Sequence, residues 1–285
     1  MSFKNTLLPV ASGVQSHGRI LPLEKPVVMG ILNATPDSFY THAGNNSITK
    51  DLLALAEKML REGAAILDIG GASTRPGAEE VSAEEEQRRI IPVIEALINA
   101  FPEVWLSVDT YQASVAKAAV EAGAAIVNDV SAGDMDRGMM AAVAALKVPY
   151  IAMHMQGAPR TMQDNPQYDN VVKDIFDYLK AKVQACAALG IHDLILDPGF
   201  GFGKTVEHNF ALLSRMHVFR ALGKPVLAGI SRKSMICKPL KVNPDKALNG
   251  TTALHMVALQ QGASILRVHD VREAVETIRL FELLQ

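Results

Sequence analysis

Short apolar runs that end in a polar residue alternate along this chain with longer amphipathic stretches. The runs occupy 27–33, 64–70, 104–109, 124–129, 149–154, 193–197, 225–231 and 264–269, and their length and composition predict β-strands. Helical patterns rich in Ala, Leu, Glu and Lys fall between them, at roughly 48–62, 82–100, 112–122, 136–146, 169–189, 205–222, 244–261 and 271–284. Ser, Asp or Asn stands near the start of these helices, and Gly63 and Gly123 stand where a left-handed residue closes the preceding one. Eight successive strand–helix units predict a (β/α)8 TIM barrel over residues 27–285, with a doubly wound open sheet as the other arrangement that the same count allows. The first 26 residues carry two short extended runs, 7–11 and 18–23, and are expected to form a β-hairpin lead-in.

Composition narrows the partners more than the fold. At 285 residues the chain is long for an average domain but normal for one α/β barrel of about 250 residues, and 49% apolar against 20% charged residues provides for a core. A formal charge of −2 argues against a nucleic-acid or anionic-membrane binder, so phosphate chemistry would have to be local. Cys186 and Cys237 show no metal or disulfide spacing, the start MSFKNTLLPVASG lacks a signal-peptide pattern, and Lys147 ends the longest apolar run. A cytoplasmic protein without a membrane segment is expected.

Candidate chemistry gathers where the strands end, as it does at the C-terminal face of such barrels. The runs terminate in Asn33, Asp68, Asp109, Asn128 with Asp129, His154, Asp197, the Ser231-Arg232-Lys233 triplet, and Arg267 with His269. Asp68, Asp129 and His154 suit satisfied buried polar groups as well as a site. A stability-only core would not set ionisable groups at every strand end, because each buried charge costs several kcal/mol unless paired or used. The loop after the second strand, GGASTRPGAEEV, carries Arg75 on a shaped turn fit for an anion. The loops after strands seven and eight, SRKS and RVHD, lie where barrels often hold phosphate, and Arg267 and His269, two apart, face the same side of an extended strand.

Other chemistries fail on spacing. In LDPGFGFGKT a phosphate loop would need Gly five residues before Gly203, where Pro198 stands, and the glycines do not match the dinucleotide fingerprint. They suit close approach of backbone to a flat ligand. The first strand has no paired His for a metallohydrolase, no Ser sits in a nucleophile elbow, and neither Cys lies at a strand end. What remains is a pocket with acids and an amide toward the middle strands and cations toward the last two.

The segments GILNATPDSF (30–39), LDIGGASTRPGAEEV (67–81), SVDT (107–110), VNDVSAG (127–133), MHMQGAPRTMQ (153–163), LDPGFGFGKT (196–205), GISRKS (229–234) and RVHDV (267–271) follow one another as they do in dihydropteroate synthases, a family of pterin-binding barrel transferases that the chain resembles. The resemblance implies condensation of 6-hydroxymethyl-7,8-dihydropterin pyrophosphate with p-aminobenzoate to 7,8-dihydropteroate and pyrophosphate, in folate synthesis, by a dissociative route that sulfonamides would inhibit. It assigns Asp109, Asn128, Asp197, Phe202, Lys233 and Arg267 to the pterin, with Asp109, Asp197, Lys233 and Arg267 as the catalytic group. Asn33, Arg75, Arg267 and His269 are assigned to pyrophosphate, Asn33 also as the ligand of a Mg2+ ion. Phe39, Thr74, Arg75, Pro76 and Ser231 would form the p-aminobenzoate end, with Asp37 a further candidate. A homodimer through the last helices is implied as well.

The chain departs from the family after PDSF, where YTHAG replaces the usual Asp-Gly-Gly turn. Arg232 has no role by resemblance and is expected to form a structural ion pair. Two alternatives share the pterin-binding barrel: a methyltetrahydrofolate:corrinoid methyltransferase-like enzyme, and a non-catalytic pterin-binding paralogue. The STRPGA loop and the SRKS and RVHD cations suit pyrophosphate and an arylcarboxylate, and have no evident use in methyl transfer.

Overall fold

The computed structural model describes residues 11–34, 45–72, 81–158 and 161–284. Eight parallel strands follow one another around a barrel: β3 (Val27–Asn33), β4 (Ile66–Gly70), β5 (Trp105–Asp109), β6 (Ile126–Asp129), β7 (Tyr150–Met153), β8 (Leu194–Asp197), β9 (Leu227–Ala228) and β10 (Ile265–Val268). Neighbours pair in sequence order from β3 to β8, and β10 joins β3 to β9. A parallel bridge between Leu196 and Val226, with the Leu196 N–H donating to Pro225 O at 2.9 Å, links β8 to the start of β9 and closes the ring. The open-sheet alternative is thereby excluded.

Two strands precede the barrel, β1 (Gly13–Ser16) and β2 (Arg19–Pro22). They pair antiparallel around His17 and Gly18, whose positive φ values of 49° and 74° match the mirror-image turn that right-handed strand twist favours. The run at 18–23 corresponds to β2, whereas most of 7–11 lies outside the described residues. The hairpin lies under the barrel. Its Val14, Leu21 and Leu23 share one apolar cluster with Met29, Ile66, Trp105, Ile126, Ile151, Ile195, Leu227 and Ile265, one residue from each barrel strand. That layer seals the N-terminal end.

Outside the ring, helices α1 (Asn45–Glu62), α2 (Ala83–Ala100), α3 (Ala113–Glu121), α4 (Met139–Leu146), α5 (Val171–Ala188), α6 (Val206–Ser214), α7 (Ser234–Leu240), α8 (Leu248–Gln260) and α9 (Val271–Glu282) bury their apolar stripes against the outward strand residues. Ser82, Asn170 and Thr205 cap α2, α5 and α6 through their side chains, as the polar residues at those helix starts predict. Three differences from the expected pattern have local causes. The helix expected at 205–222 splits at Arg215 into α6 and a 3-10 turn, Met216–Leu222. The one expected at 244–261 starts later, after a 3-10 turn opened by Pro244. Helix α7, which carries Cys237, was hidden by its seven-residue length and internal Pro239.

Candidate active site

Strand alternation decides which polar residues enter the barrel. Two residues beyond each member of the apolar layer comes the next inward position: Ile66 leads to Asp68, Trp105 to Ser107 and then Asp109, Ile126 to Asn128, Ile195 to Asp197, and Ile265 to Arg267. Across β5 and β6, Asp109 stands in register with Asn128. These side chains meet. Arg267 donates through Nε to Asp68 Oδ2 and through Nη2 to Asp109 Oδ2, both at 2.6 Å, and Asn128 Nδ2 donates to the same Asp68 oxygen at 3.1 Å.

One oxygen of each acid in this knot, Asp68 Oδ1 and Asp109 Oδ1, is buried and accepts no hydrogen bond among the described residues. An orphaned buried carboxylate oxygen is costly, and its natural complement is a ligand that brings N–H donors. Burial pushes the Asp109 carboxyl up to about 7, against the pull of Arg267 and with Asp68 adding to the rise. Burial opposes the charge of Arg267 too, but Asp68 and Asp109 outweigh it and hold the guanidinium above its ordinary value.

Asp197 sits across the mouth, where its Oδ1 accepts the Gly199 N–H at 2.7 Å. Burial raises its pKa, and Lys233 opposes the rise. Lys233, the residue before α7, has its ammonium pushed down to about 8 by burial, with Asp197 pulling the other way. It donates to Phe200 O and lies 4.8 Å from the centre of the Phe202 ring. At the rim, Ser231 Oγ lies 3.0 Å from His269 Nδ1 and accepts the His269 N–H at 3.3 Å. Asn33 ends β3 half-buried, in register with Gly70, which is in turn in register with Asp109.

Asp109, Asn128, Asp197, Phe202, Ser231, Lys233, Arg267, His269 and Asn33 thus all stand at the C-terminal mouth of the barrel. Phe39, Thr74, Arg75 and Pro76, with Asp37, lie outside the described residues. Two strand-end candidates belong to the scaffold. Asp129 points outward, where it takes Ser131 N, Ser131 Oγ, Gly133 N and the Tyr150 hydroxyl at 2.7–2.8 Å. His154 is buried against Tyr178, ring centres 4.9 Å apart, and burial depresses it to about 3. Arg232 forms its expected ion pair, a fork onto Asp270 at 2.5 and 3.0 Å.

Sequence reasoning left one acid, Asp68, open between site and scaffold and missed another, Glu86. Asp68 holds Arg267 and Asn128 together, and its position two after an apolar-layer residue marks it as inward. Glu86, fully buried on α2, accepts Gln112 Nε2 at 2.6 Å, while Gln112 also reaches Val81 O and Arg89 donates to Gly71 O. These bonds fasten both described ends of the second loop, and nothing in the local sequence marks Glu86 apart from Glu84 and Glu85.

The family model for pterin binding enzymes matches residues 29–269, from β3 through the end of β10. The chain is 46% identical over 269 residues to the dihydropteroate synthase of Escherichia coli K12, with 94% of each covered. It belongs to the dihydropteroate synthase family. The synthase of Haemophilus influenzae is also 46% identical, over 94% of this chain and 97% of its own. Among solved family members, the Yersinia pestis synthase in complex with a sulfonamide drug superposes with a TM-score of 0.89 at 43% identity, covering 95% of this chain and 98% of its own. The Xanthomonas albilineans synthase in complex with 7,8-dihydropteroate gives 0.86 at 41% identity, covering 96% and 98%. These family members are synthases and not corrinoid methyltransferases.

Proposed function

We propose that this chain joins 6-hydroxymethyl-7,8-dihydropterin pyrophosphate to p-aminobenzoate, releasing pyrophosphate and 7,8-dihydropteroate. One observation carries the reading: two buried acids at the mouth, Asp68 and Asp109, joined through Arg267 with Asn128 beside them, each keep an oxygen without a partner among the described residues. Lys233 stands near enough to Asp197 and Asp109 to interact with both. A pterin offers a flat edge of amino and ring N–H donors beside a carbonyl, the complement of carboxylates flanked by an amide and an ammonium. The pyrophosphate tail would point toward Arg267 and His269.

The C–O bond between the exocyclic methylene and pyrophosphate breaks first, and the electron pair leaves with the phosphate. Asp109 and Asp197 stabilise positive charge delocalised into the ring, and Arg267 with His269 stabilises the departing anion. The arylamine nitrogen then bonds to the methylene and loses a proton to solvent. No protein nucleophile takes part. Phe39, Thr74, Arg75, Pro76 and Ser231 would receive the p-aminobenzoate, with Arg75 also near the leaving group.

The donor set fits a Mg2+ ion held in part by substrate. Among the described residues no three His, Cys, Asp or Glu side chains converge as an all-protein cage. Asn33 offers one oxygen that makes no hydrogen bond among them, which matches an ion bound through one protein ligand, phosphates and waters. When bound, Mg2+ would neutralise charge on the leaving pyrophosphate.

A homodimer is supported by Leu280, Leu283 and Leu284, exposed at the end of α9. Both cysteines are free thiols, as expected in a reducing cytoplasm, and among the described residues no helix is long and apolar enough to cross a membrane. Sulfonamides would compete for the arylamine end. The test combines purified protein, Mg2+, the pterin pyrophosphate and labelled p-aminobenzoate. Labelled dihydropteroate is expected, and its absence with protein shown to be folded refutes the reading.

A further inference from the structure

A lysine that the proposed reaction does not use lies beneath the pterin site. Lys204 is 3% exposed, and among the described residues it makes no ion pair. Its Nζ lies 2.8 Å from Gly199 O, 3.0 Å from Phe202 O and 3.0 Å from His154 Nδ1, with His154 O farther away at 3.4 Å. Every neighbour in reach can accept, and three close acceptors match the three N–H bonds of an ammonium. A methionine would fill the same space without the desolvation penalty. Burial pushes the Lys204 ammonium well below its ordinary value, with Asp197 pulling the other way, so a group this costly needs a use.

The turn that Lys204 ends supplies one. Residues 199–203 form no helix or strand, yet each of their five carbonyls accepts from a side chain. Gly199 and Phe202 face Lys204; Phe200 faces Lys233; Gly201 takes Gln163 Nε2 at 2.5 Å; Gly203 takes the Tyr168 hydroxyl at 2.8 Å. The turn is pressed against the end of β7, since a Cβ at Gly199 would stand 1.9 Å from His154 O. The two lysines therefore grip one turn, Lys204 from below and Lys233 from the side of the mouth.

We propose that Lys204 is a positioning residue for pterin binding: it pins this turn to the end of β7, so that the Phe200 carbonyl and the Phe202 ring hold the Lys233 ammonium in place. The inference rests on the pterin reading above. Lys204 also stands close enough to Asp197 to favour its ionised form.

The experiment compares wild type with Lys204→Met in the full chain. It measures kcat and KM for each substrate, the pH profile of kcat/KM for the pterin pyrophosphate, and binding of 6-hydroxymethylpterin by fluorescence. Loss of an oriented charged hydrogen-bond donor at Lys233 predicts a rise of about tenfold in pterin KM and Kd. The p-aminobenzoate KM should stay within about twofold, and the acid limb of the profile should move to higher pH as Asp197 loses a nearby cation. A purely structural lysine would lower the active fraction, reducing kcat and leaving both KM values unchanged; that outcome overturns the proposal.

If Lys204→Met does not fold, Gln163→Ala carries the test. It loosens the same turn from its exposed side, and an unchanged pterin Kd there overturns the proposal. Wild type that binds 6-hydroxymethylpterin but makes no dihydropteroate refutes the proposed reaction alone, because the binding comparison for Lys204 still reads out.

Discussion

Asp109→Asn should make the free protein more stable and the enzyme worse. The carboxyl of Asp109 titrates at 3.8 in an ordinary setting and is pushed up to about 7 in the fold. The sign follows from proton linkage. An acid whose folded pKa is raised binds more protons folded than unfolded between those two values, so stability falls as pH climbs from about 4 to about 7 and stays lowered above it. At about 1.4 kcal/mol for each pH unit, the rise corresponds to about 4 kcal/mol at pH 8 and about 2 kcal/mol at pH 5, where most of the folded protein already carries the proton. An isosteric amide removes that penalty but weakens the 2.6 Å bond from Arg267, which keeps Asp68 as its second partner. A net gain of about 1–3 kcal/mol is expected at pH 8 and little at pH 5. Denaturant unfolding of both proteins at the two pH values measures it. The same substitution should weaken pterin binding about 10–100-fold by removing a charged acceptor. A variant less stable than wild type at pH 8, or equally stabilised at both pH values, would show that Asp109 is not the strained group described here.

Lys233 is held at about 8 by burial, so kcat/KM for the pterin substrate should fall as pH rises through about 8, where the ammonium loses its proton. Lys233→Ala should abolish that limb and lower kcat/KM at least about tenfold; an unaltered profile counts against a charged role. Arg232→Met, which leaves Asp270 without its guanidinium, should cost about 1–3 kcal/mol in denaturant unfolding while both KM values stay within about twofold of wild type. Asn33→Ala should raise the Mg2+ concentration needed for half-maximal rate by about tenfold, measured by titration of chelator-treated enzyme; an unchanged requirement removes Asn33 as a ligand.

The barrel was legible because the predicted strands end abruptly in polar residues and helices α1, α2, α3, α5, α6 and α8 have a side-chain cap or a closing glycine. Strand β9 was the weakest reading: 225–231 was expected and Leu227–Ala228 alone are paired as strand, since Pro225 precedes them and Gly229 follows. The site was legible by type but not by direction. Asn128 and Asp129 are adjacent, and both ended a predicted strand, yet only the first faces the mouth. Their parity relative to Ile126 decides this, and it could have been read once the apolar layer was fixed. Asp68 was underrated for the same reason. Lys204 and Glu86 were invisible because their roles depend on carbonyls and loop ends brought together from other elements, with no periodic or motif signal in their own neighbourhoods.

The hairpin beneath the strands leaves the vessel with one door. Val14, Leu21 and Leu23 stop its floor, so both reactants arrive and both products depart through the same opening. Whatever occupies the deepest position must enter ahead of its co-substrate and can leave only after the shallower group has cleared the way. Order of addition and release is then expected to follow depth, because the side chains that fill the interior of the strands leave no second way through.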